Sequence, residues 1–156
     1  MITKGKKKQK LKVFIPTAGI GSRLSHLTYN FNKCLIEIGH KPAISHIIEN
    51  FPDSAEFVIA LGFDSKKVRD FLLLTYPKKK FYFTYVDDFV SKNSSLGYSM
   101  KCSRKYLQSP FFFVACDSVF KNKINKQGHN WIGYSNKKPK NNYRKLTIAK
   151  KLLVSD

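Results

Sequence analysis

The stretch that decides the fold is VFIPTAGIGSRLSHLTYNFNKCL, residues 13–35. It opens with Val13–Ile15, an apolar and β-prone run of the right length for one buried strand. We expect Pro16 to stop the ladder of that strand. Gly19 and Gly21 then permit a tight turn in which backbone N–H groups can approach an anion.

Two cations follow this glycine turn. Ser22 and Arg23 stand where a helix could begin, and Lys33 comes ten residues after Arg23. A glycine turn, a helix N-terminus and a guanidinium together predict a phosphate site. Leu24 occupies the position of the third glycine of the dinucleotide fingerprint, and no Gly-Lys-Ser/Thr follows as in a P-loop. Alone, the turn is equally typical of an ordinary strand-to-helix connection.

The remainder of the chain alternates between apolar strands and amphipathic helices. Strands are predicted at 34–38, 57–61, 81–86, 111–115, 131–135 and 146–154, and helices after Pro42, from a cap at Ser65 and over 96–108. This alternation predicts an α/β protein with a three-layer, Rossmann-like arrangement and a mostly parallel sheet. Ligands bind such sheets at the carboxyl ends of strands, where the glycine turn, the 93–97 loop and Asp117 would meet.

Composition is that of a globular protein. The 156 residues suffice for one domain with a core, predicted over 12–156 and preceded by a flexible basic arm at 1–11. Hydrophobic content is 42%, and no apolar run approaches the roughly 20 residues of a membrane span. The basic start lacks the apolar region of a secretory signal, so we expect a cytoplasmic protein. Three cysteines without CxxC spacing predict reduced thiols and neither a disulfide framework nor a zinc site.

The net charge of +19 is unusual. Such a field attracts polyanions, including nucleotides and nucleic acid. The lysines fall in clusters between the apolar runs, a pattern that solvated loops explain, and no RNA- or DNA-binding signature accompanies them. Nucleic acid is therefore an unfavoured partner that the charge leaves open.

Several segments in order resemble one family. AGIGSRL, NKCL and KPAISHII resemble the opening of the nucleotidyltransferase or sugar-nucleotide pyrophosphorylase family, which has a glycosyltransferase-A-like fold. FVIALGF resembles its second strand, SSLGYSM its base-reading loop and helix, and FFFVACD its strand that ends in a metal-binding aspartate. The resemblance covers residues 12–120 and implies a mixed, mostly parallel sheet. Since the family generally continues well past this length, the fold is expected to be truncated at its C-terminus.

The resemblance implies a role for each matched position. Ala18 and Gly19 would touch the base and ribose, and Gly97, with Ser95, would meet the base from the other loop. The residues implied at the triphosphate are Gly21, Ser22, Arg23 and Lys33, with Arg23 on the β- and γ-phosphates. Asp117 would hold Mg²⁺, for which a carboxylate is a suitable hard ligand. Arg23 and Lys33 are the residues predicted to act in catalysis, by neutralising charge.

The chain departs from the family at two matched positions and in length. Asn32 replaces the proline usual before the lysine, and Cys116 replaces the glycine common beside the metal aspartate. The second metal ligand and the acceptor site of the family lie in a later part. The last residue, Asp156, is not assigned to that role.

Three hypotheses follow, in decreasing order of preference. The first is an Mg²⁺-dependent nucleotidyltransferase that joins an NMP from an NTP, with CTP favoured, to a phosphorylated sugar or small alcohol. Its products would be pyrophosphate and a precursor of surface polysaccharide or lipid. The second is a nucleotide-binding module without the catalytic second half. The third is a basic nucleic-acid-binding protein, whose binding would depend steeply on salt.

Overall fold

The computed structural model describes residues 10–22, 24, 28, 30–91 and 94–124. These residues fall within one compact unit. No helix among them is long and apolar enough to cross a membrane. Residues 1–9 of the predicted arm at 1–11 and the predicted strands at 131–135 and 146–154 lie outside the described residues. The extension of the domain to residue 156 stays a prediction.

A four-stranded parallel sheet forms the centre of the described chain. Its strands are β1 (Lys12–Pro16), β4 (Glu56–Leu61), β5 (Lys80–Tyr85) and β6 (Phe112–Phe113), in the order β5-β4-β1-β6. Phe14 pairs in register with Val58 on one side and with Phe113 on the other. A separate antiparallel pair joins β2 (Glu37–Ile38) and β3 (Lys41–Pro42). The predicted α/β fold with a mostly parallel sheet is therefore confirmed, and the described antiparallel pair belongs to a second, small sheet.

Helices cover both faces of the sheet, which makes three layers. On one face, Val13 and Ile15 pack with buried residues of α1 (Ala43–Ile48) and α2 (Ser65–Thr75). On the other face, Phe14 packs with residues of α3 (Leu96–Ser103) and of the 3₁₀ turn that follows it. Alternate residues of β1 thus enter opposite cores, as the period of a strand requires.

Six boundaries differ from the sequence predictions. The helix predicted after Pro42, whose apolar spacing runs to Phe51, ends at Ile48. The predicted 34–38 strand begins instead with a 3₁₀ turn, Lys33–Leu35, and only Glu37–Ile38 is strand. The helix predicted over 96–108 ends at Ser103 and continues as a 3₁₀ turn. The strand predicted at 111–115 is paired only at Phe112–Phe113, because the chain turns from Ala115, whose carbonyl accepts the N–H of Ser118.

The other two differences concern Ser65 and Pro16. Ser65 is the first residue of α2, and Asp64, in the left-handed region at φ +52°, stands at the cap. Pro16 does not stop the ladder but belongs to β1, opposite Ala60. Successive N–H groups of a strand point to opposite sides, and the N–H of Thr17 points to β4. The N–H that Pro16 lacks would therefore point toward β6, whose pairing with β1 ends at Phe14, so the proline removes no hydrogen bond of the sheet.

Candidate functional site

The glycine turn after β1 is fixed to the carboxyl end of β4. The N–H and the Oγ1 of Thr17 both donate to the carbonyl of Ala60, at 2.8 and 2.9 Å. The carbonyl of Ala18 accepts the N–H of Phe63 at 2.9 Å. These bonds make the β1 loop and the β4–α2 loop one continuous wall at the carboxyl edge of the sheet, where parallel sheets bind ligands.

Two glycines of this region are required by the fold itself. Gly21 has φ +75°, and a Cβ there would lie 2.9 Å from Thr28 Cγ2 and 3.3 Å from Lys33 Cβ. A Cβ on Gly62 would lie 2.7 Å from both the Cβ and the carbonyl oxygen of Ala18. A Cβ would clash at either position, and at Gly21 the positive φ would also strain any other residue. Packing and backbone strain therefore explain why these two residues are glycine, and no ligand is needed to explain them.

Two other predicted site glycines have no such explanation. At Gly19, no atom lies within 4 Å of the position that a Cβ would take, and at Gly97 the nearest atom is Ser95 Oγ at 3.8 Å. Neither residue has a positive φ. The protein thus leaves space at Gly19 and Gly97 that a ligand approaching the backbone could use.

The lysine and the aspartate predicted for phosphate and metal lie in direct contact. Lys33 Nζ donates to Asp117 Oδ2 at 3.1 Å, although the residues are far apart in sequence. The stem of Lys33 passes beside Gly21, and the side chain of Asp117 is about half exposed, at 51%. The pair therefore stands at the open edge of the sheet, next to the glycine turn.

Asn32 is a site residue whose role sequence reasoning missed. Its side chain is fully buried, and its Nδ2 donates to the carbonyls of Thr17 at 2.6 Å and Phe63 at 2.7 Å. Its Oδ1 accepts the N–H of Cys34 at 3.1 Å, which caps the 3₁₀ turn that carries Lys33. The available signal was the asparagine in place of the family's proline.

Two buried cysteines flank the Lys33–Asp117 pair in sequence. Cys34 and Cys116 are free thiols, and Cys102 is a half-buried free thiol. Burial raises the pKa of Cys116 to about 11 and that of Cys34 well above its ordinary value. Both therefore stay protonated at neutral pH.

The second predicted loop lies beyond the carboxyl end of β5. Ser95 caps α3, since its Oγ accepts the N–H of Tyr98 at 3.1 Å. The hydroxyl of Tyr98 donates to Asp87 Oδ1 at 2.7 Å, and this bond lowers the pKa of Asp87. The Tyr98–Asp87 bond ties the start of α3 to the end of β5 and was not predicted.

Not every predicted residue can be placed. Ala18, Gly19, Gly21 and Ser22 lie in the β1 loop, and Lys33 and Asp117 meet beside it. Ser95 and Gly97 lie at the same edge of the sheet by topology, across β4. Arg23 lies outside the described residues. The roles assigned to all of these residues stay predictions.

Asp117 suits a magnesium ion that shares its coordination with a ligand. It offers an exposed carboxylate, and Mg²⁺ usually takes one or two carboxylates and completes its shell with water and substrate phosphates. Within the described ranges, no group of three His, Cys, Asp or Glu side chains is placed to hold a metal. The residues present thus fit a metal carried on a phosphate chain, and not an all-protein cage.

Comparisons with known proteins agree with this architecture. No protein-family model matches the chain. A bifunctional GlmU protein of Methanococcus vannielii is 29% identical over 108 residues, which are 69% of this chain and 24% of that protein. CTP:phosphocholine cytidylyltransferase of Streptococcus pneumoniae is 26% identical, with a TM-score of 0.59 over 75% of this chain and 50% of that one.

A UDP-glucose pyrophosphorylase solved with UDP-glucose has a TM-score of 0.55 at 18% identity, over 70% of this chain and 46% of that one. The fold is therefore that of the nucleotidyltransferases. The resemblance to this family predicted from the sequence is confirmed over part of its length. The chain spans about half the length of the two solved structures and about a quarter of the length of the GlmU protein.

Proposed function

We propose that the protein binds a nucleoside triphosphate with Mg²⁺ at the carboxyl edge of its sheet and transfers the nucleotidyl group to a phosphorylated acceptor. The observation that carries the proposal is the contact of Lys33 with Asp117 beside the glycine turn. A cation for phosphate and a hard ligand for metal meet there, on a fold shared with nucleotidyltransferases.

The reaction needs placement and positive charge and no covalent nucleophile on the protein. An oxygen of the acceptor phosphate attacks the α-phosphorus, and a new P–O bond forms. The bond from that phosphorus to the oxygen bridging to the β-phosphate breaks, and pyrophosphate leaves with the electron pair. Negative charge grows on the leaving group, so preorganised cations in the cleft lower the barrier.

The residues of the site divide this work. The open backbone at Gly19 and Gly97 receives the nucleoside from two sides. Lys33 holds phosphate oxygens, and Arg23 is assigned by its sequence position to the β- and γ-phosphates. Asp117 would hold Mg²⁺, which would supply further positive charge when bound. The acceptor is assigned no residue in this chain.

CTP and a small phosphorylated alcohol or sugar are the substrates that we propose first. The support is the sequence identity to the cytidylyltransferase of S. pneumoniae, which is 26%, compared with 18% to the UDP-glucose pyrophosphorylase. The corresponding role is the synthesis of a precursor for surface polysaccharide or lipid in the cytoplasm.

Pyrophosphate release tests the proposal. A panel of NTPs is combined with phosphocholine and sugar 1-phosphates, and the wild type is compared with Arg23→Ala and Asp117→Ala. We expect release with one pair and a loss of at least about a hundredfold in each variant, the typical size of a preorganised electrostatic contribution. Lack of turnover for every pair would overturn the transferase proposal.

The alternative is a nucleotide-binding module without turnover, supported by the residues placed for phosphate and metal, Lys33 and Asp117. Calorimetry separates it from the enzyme. Saturable binding of Mg-CTP without pyrophosphate release would support the module. Neither binding nor release would exclude both.

A further inference from the structure

We propose that Asn32 is a positioning residue that holds Lys33 at a fixed place against both walls of the nucleotide site. This inference rests on the function proposed above. It begins with the three hydrogen bonds of one buried side chain, which reach the β1 loop, the β4–α2 loop and the start of the 3₁₀ turn. Each of these segments borders the site, and the amide of Asn32 joins all of them.

The inventory of donors and acceptors shows that the amide is fully engaged. Both protons of Nδ2 have a carbonyl acceptor, and Oδ1 has a backbone donor. A buried carbonyl without a partner is costly, so the amide stabilises Thr17 and Phe63 in their observed places. No other side chain of similar size can both donate twice and accept once in this geometry.

The backbone at this position explains why asparagine can stand in for a proline. Asn32 has φ −62° and ψ 136°, values that proline also adopts. The chain therefore keeps the path that the family's proline would give. It replaces the stiffness of the ring with hydrogen bonds that extend to two neighbouring loops.

The consequence for the site is that the position of Lys33 is coupled to the glycine turn. Lys33 follows Asn32 directly, its stem passes Gly21, and its ammonium reaches Asp117. A loose start of the 3₁₀ turn would let the ammonium move relative to the phosphates. A misplacement of about 1 Å can reduce the rate about a hundredfold.

Asn32→Pro and Asn32→Asp are the variants that test this role. Proline keeps the backbone path and removes every side-chain bond. Aspartate keeps the acceptor for Cys34 N–H but turns an oxygen toward two carbonyls, so it is expected to fold less stably as pH rises and the carboxyl ionises. Ser103→Ala is the control, because it removes a buried 2.7 Å bond to Thr84 on the opposite face of the sheet.

The readouts are the affinity for Mg-CTP by calorimetry, the midpoint of thermal unfolding, and amide hydrogen exchange of the 17–22 and 62–64 loops. We expect Asn32→Pro to bind Mg-CTP at least about tenfold more weakly at a temperature where it is fully folded, and to exchange faster in both loops. The control should lower the unfolding midpoint but leave affinity and loop exchange unchanged.

An Asn32→Pro protein with wild-type affinity and wild-type loop exchange would overturn the inference, whatever its unfolding midpoint. If the wild type itself binds no nucleotide, the proposed function fails. Loop exchange then decides the inference alone: faster exchange in both loops supports Asn32 as their positioning residue, and unchanged exchange rejects it.

Discussion

At the scale of single residues, the contact between Lys33 and Asp117 means that the site neutralises its own charges when no ligand is bound. On the proposed function, a metal ion at Asp117 would compete with an ammonium 3.1 Å away, and a phosphate at Lys33 would compete with a carboxylate. Metal and nucleotide arriving together satisfy both groups. We therefore expect the metal ion to bind more weakly without the nucleotide than with it, and the nucleotide to bind more weakly without the metal ion.

The substitution Lys33→Met tests this competition. Removing the ammonium frees the carboxylate of Asp117, so Mn²⁺ alone, used as a magnetic probe, should bind the variant roughly two- to fivefold more tightly than the wild type. That factor corresponds to a partly exposed ion pair worth up to about 1 kcal/mol. Binding of Mg-CTP should weaken in the same variant. Electron paramagnetic resonance of Mn²⁺ and calorimetry give the two affinities.

Lys105→Met is the matched control for that measurement. Lys105 is an exposed lysine whose ammonium lies 4.8 Å from the centre of the Tyr106 ring, so its loss lowers the net charge by the same amount without freeing a carboxylate. It should leave the Mn²⁺ affinity unchanged. Equal or weaker Mn²⁺ binding by Lys33→Met would show that the ion pair does not oppose the metal.

The glycines around the site supply a second test at this scale, because Gly62 is required by packing whereas Gly19 stands beside open space. Gly62→Ala forces a Cβ against Ala18 and should destabilise the fold by about 1–3 kcal/mol, the usual cost of overpacking. Gly19→Ala meets open space and should leave stability nearly unchanged, yet weaken Mg-CTP binding because the methyl enters the space proposed for the nucleoside. Urea unfolding and calorimetry measure the two effects. Equal nucleotide affinity of Gly19→Ala and wild type would remove Gly19 from the site.

At the scale of elements, the sequence was informative wherever one periodicity ran without interruption. The runs FVIAL and FYFTYV predicted β4 and β5 to within one residue at either end. The two strands pair with each other along their full length, and β4 is buried on both faces of the sheet, so each is a continuous apolar or aromatic run. The helix after Pro42 was likewise evident from its apolar spacing. The parallel order and the edge at which ligands bind followed from the alternation of these elements.

Elements governed by contacts between distant residues could not be predicted in this way. The 3₁₀ turn at Lys33–Leu35 reads as a strand in isolation, and it forms because Asn32 caps it while bonded to Thr17 and Phe63. The ion pair of Lys33 with Asp117 likewise needs the fold to bring its partners together. The resemblance supplied the candidate positions, and only the structure separates glycines required by strain or packing from glycines beside open space.

At the scale of the whole molecule, the excess of positive charge determines how stability should respond to acid. In the described part of the chain, the carboxylates whose pKa values the fold lowers are Glu49, Asp53, Glu56 and Asp87. For Glu56, burial alone would raise the pKa, but hydrogen bonds from Lys80 and Tyr82 and the charge of Lys10 outweigh it. Such a group contributes stability above its unfolded pKa, and the contribution disappears as pH falls through its folded pKa.

We therefore expect the midpoint of thermal unfolding to fall steeply as the pH drops below about 5, the range in which unfolded carboxyl groups take up protons. Protonation also removes the few negative charges that offset the net charge of +19, so repulsion among the cations increases as the stabilising pairs are lost. Salt should restore part of the midpoint at acid pH, because it screens that repulsion, and should do so less at pH 7. Circular dichroism melts across pH and NaCl concentration measure both effects. In Glu56→Gln the midpoint should fall less steeply with acid, because the variant lacks one of the carboxylates whose pKa the fold lowers. An unchanged pH dependence in that variant, or a wild-type midpoint that rises in acid, would contradict this account.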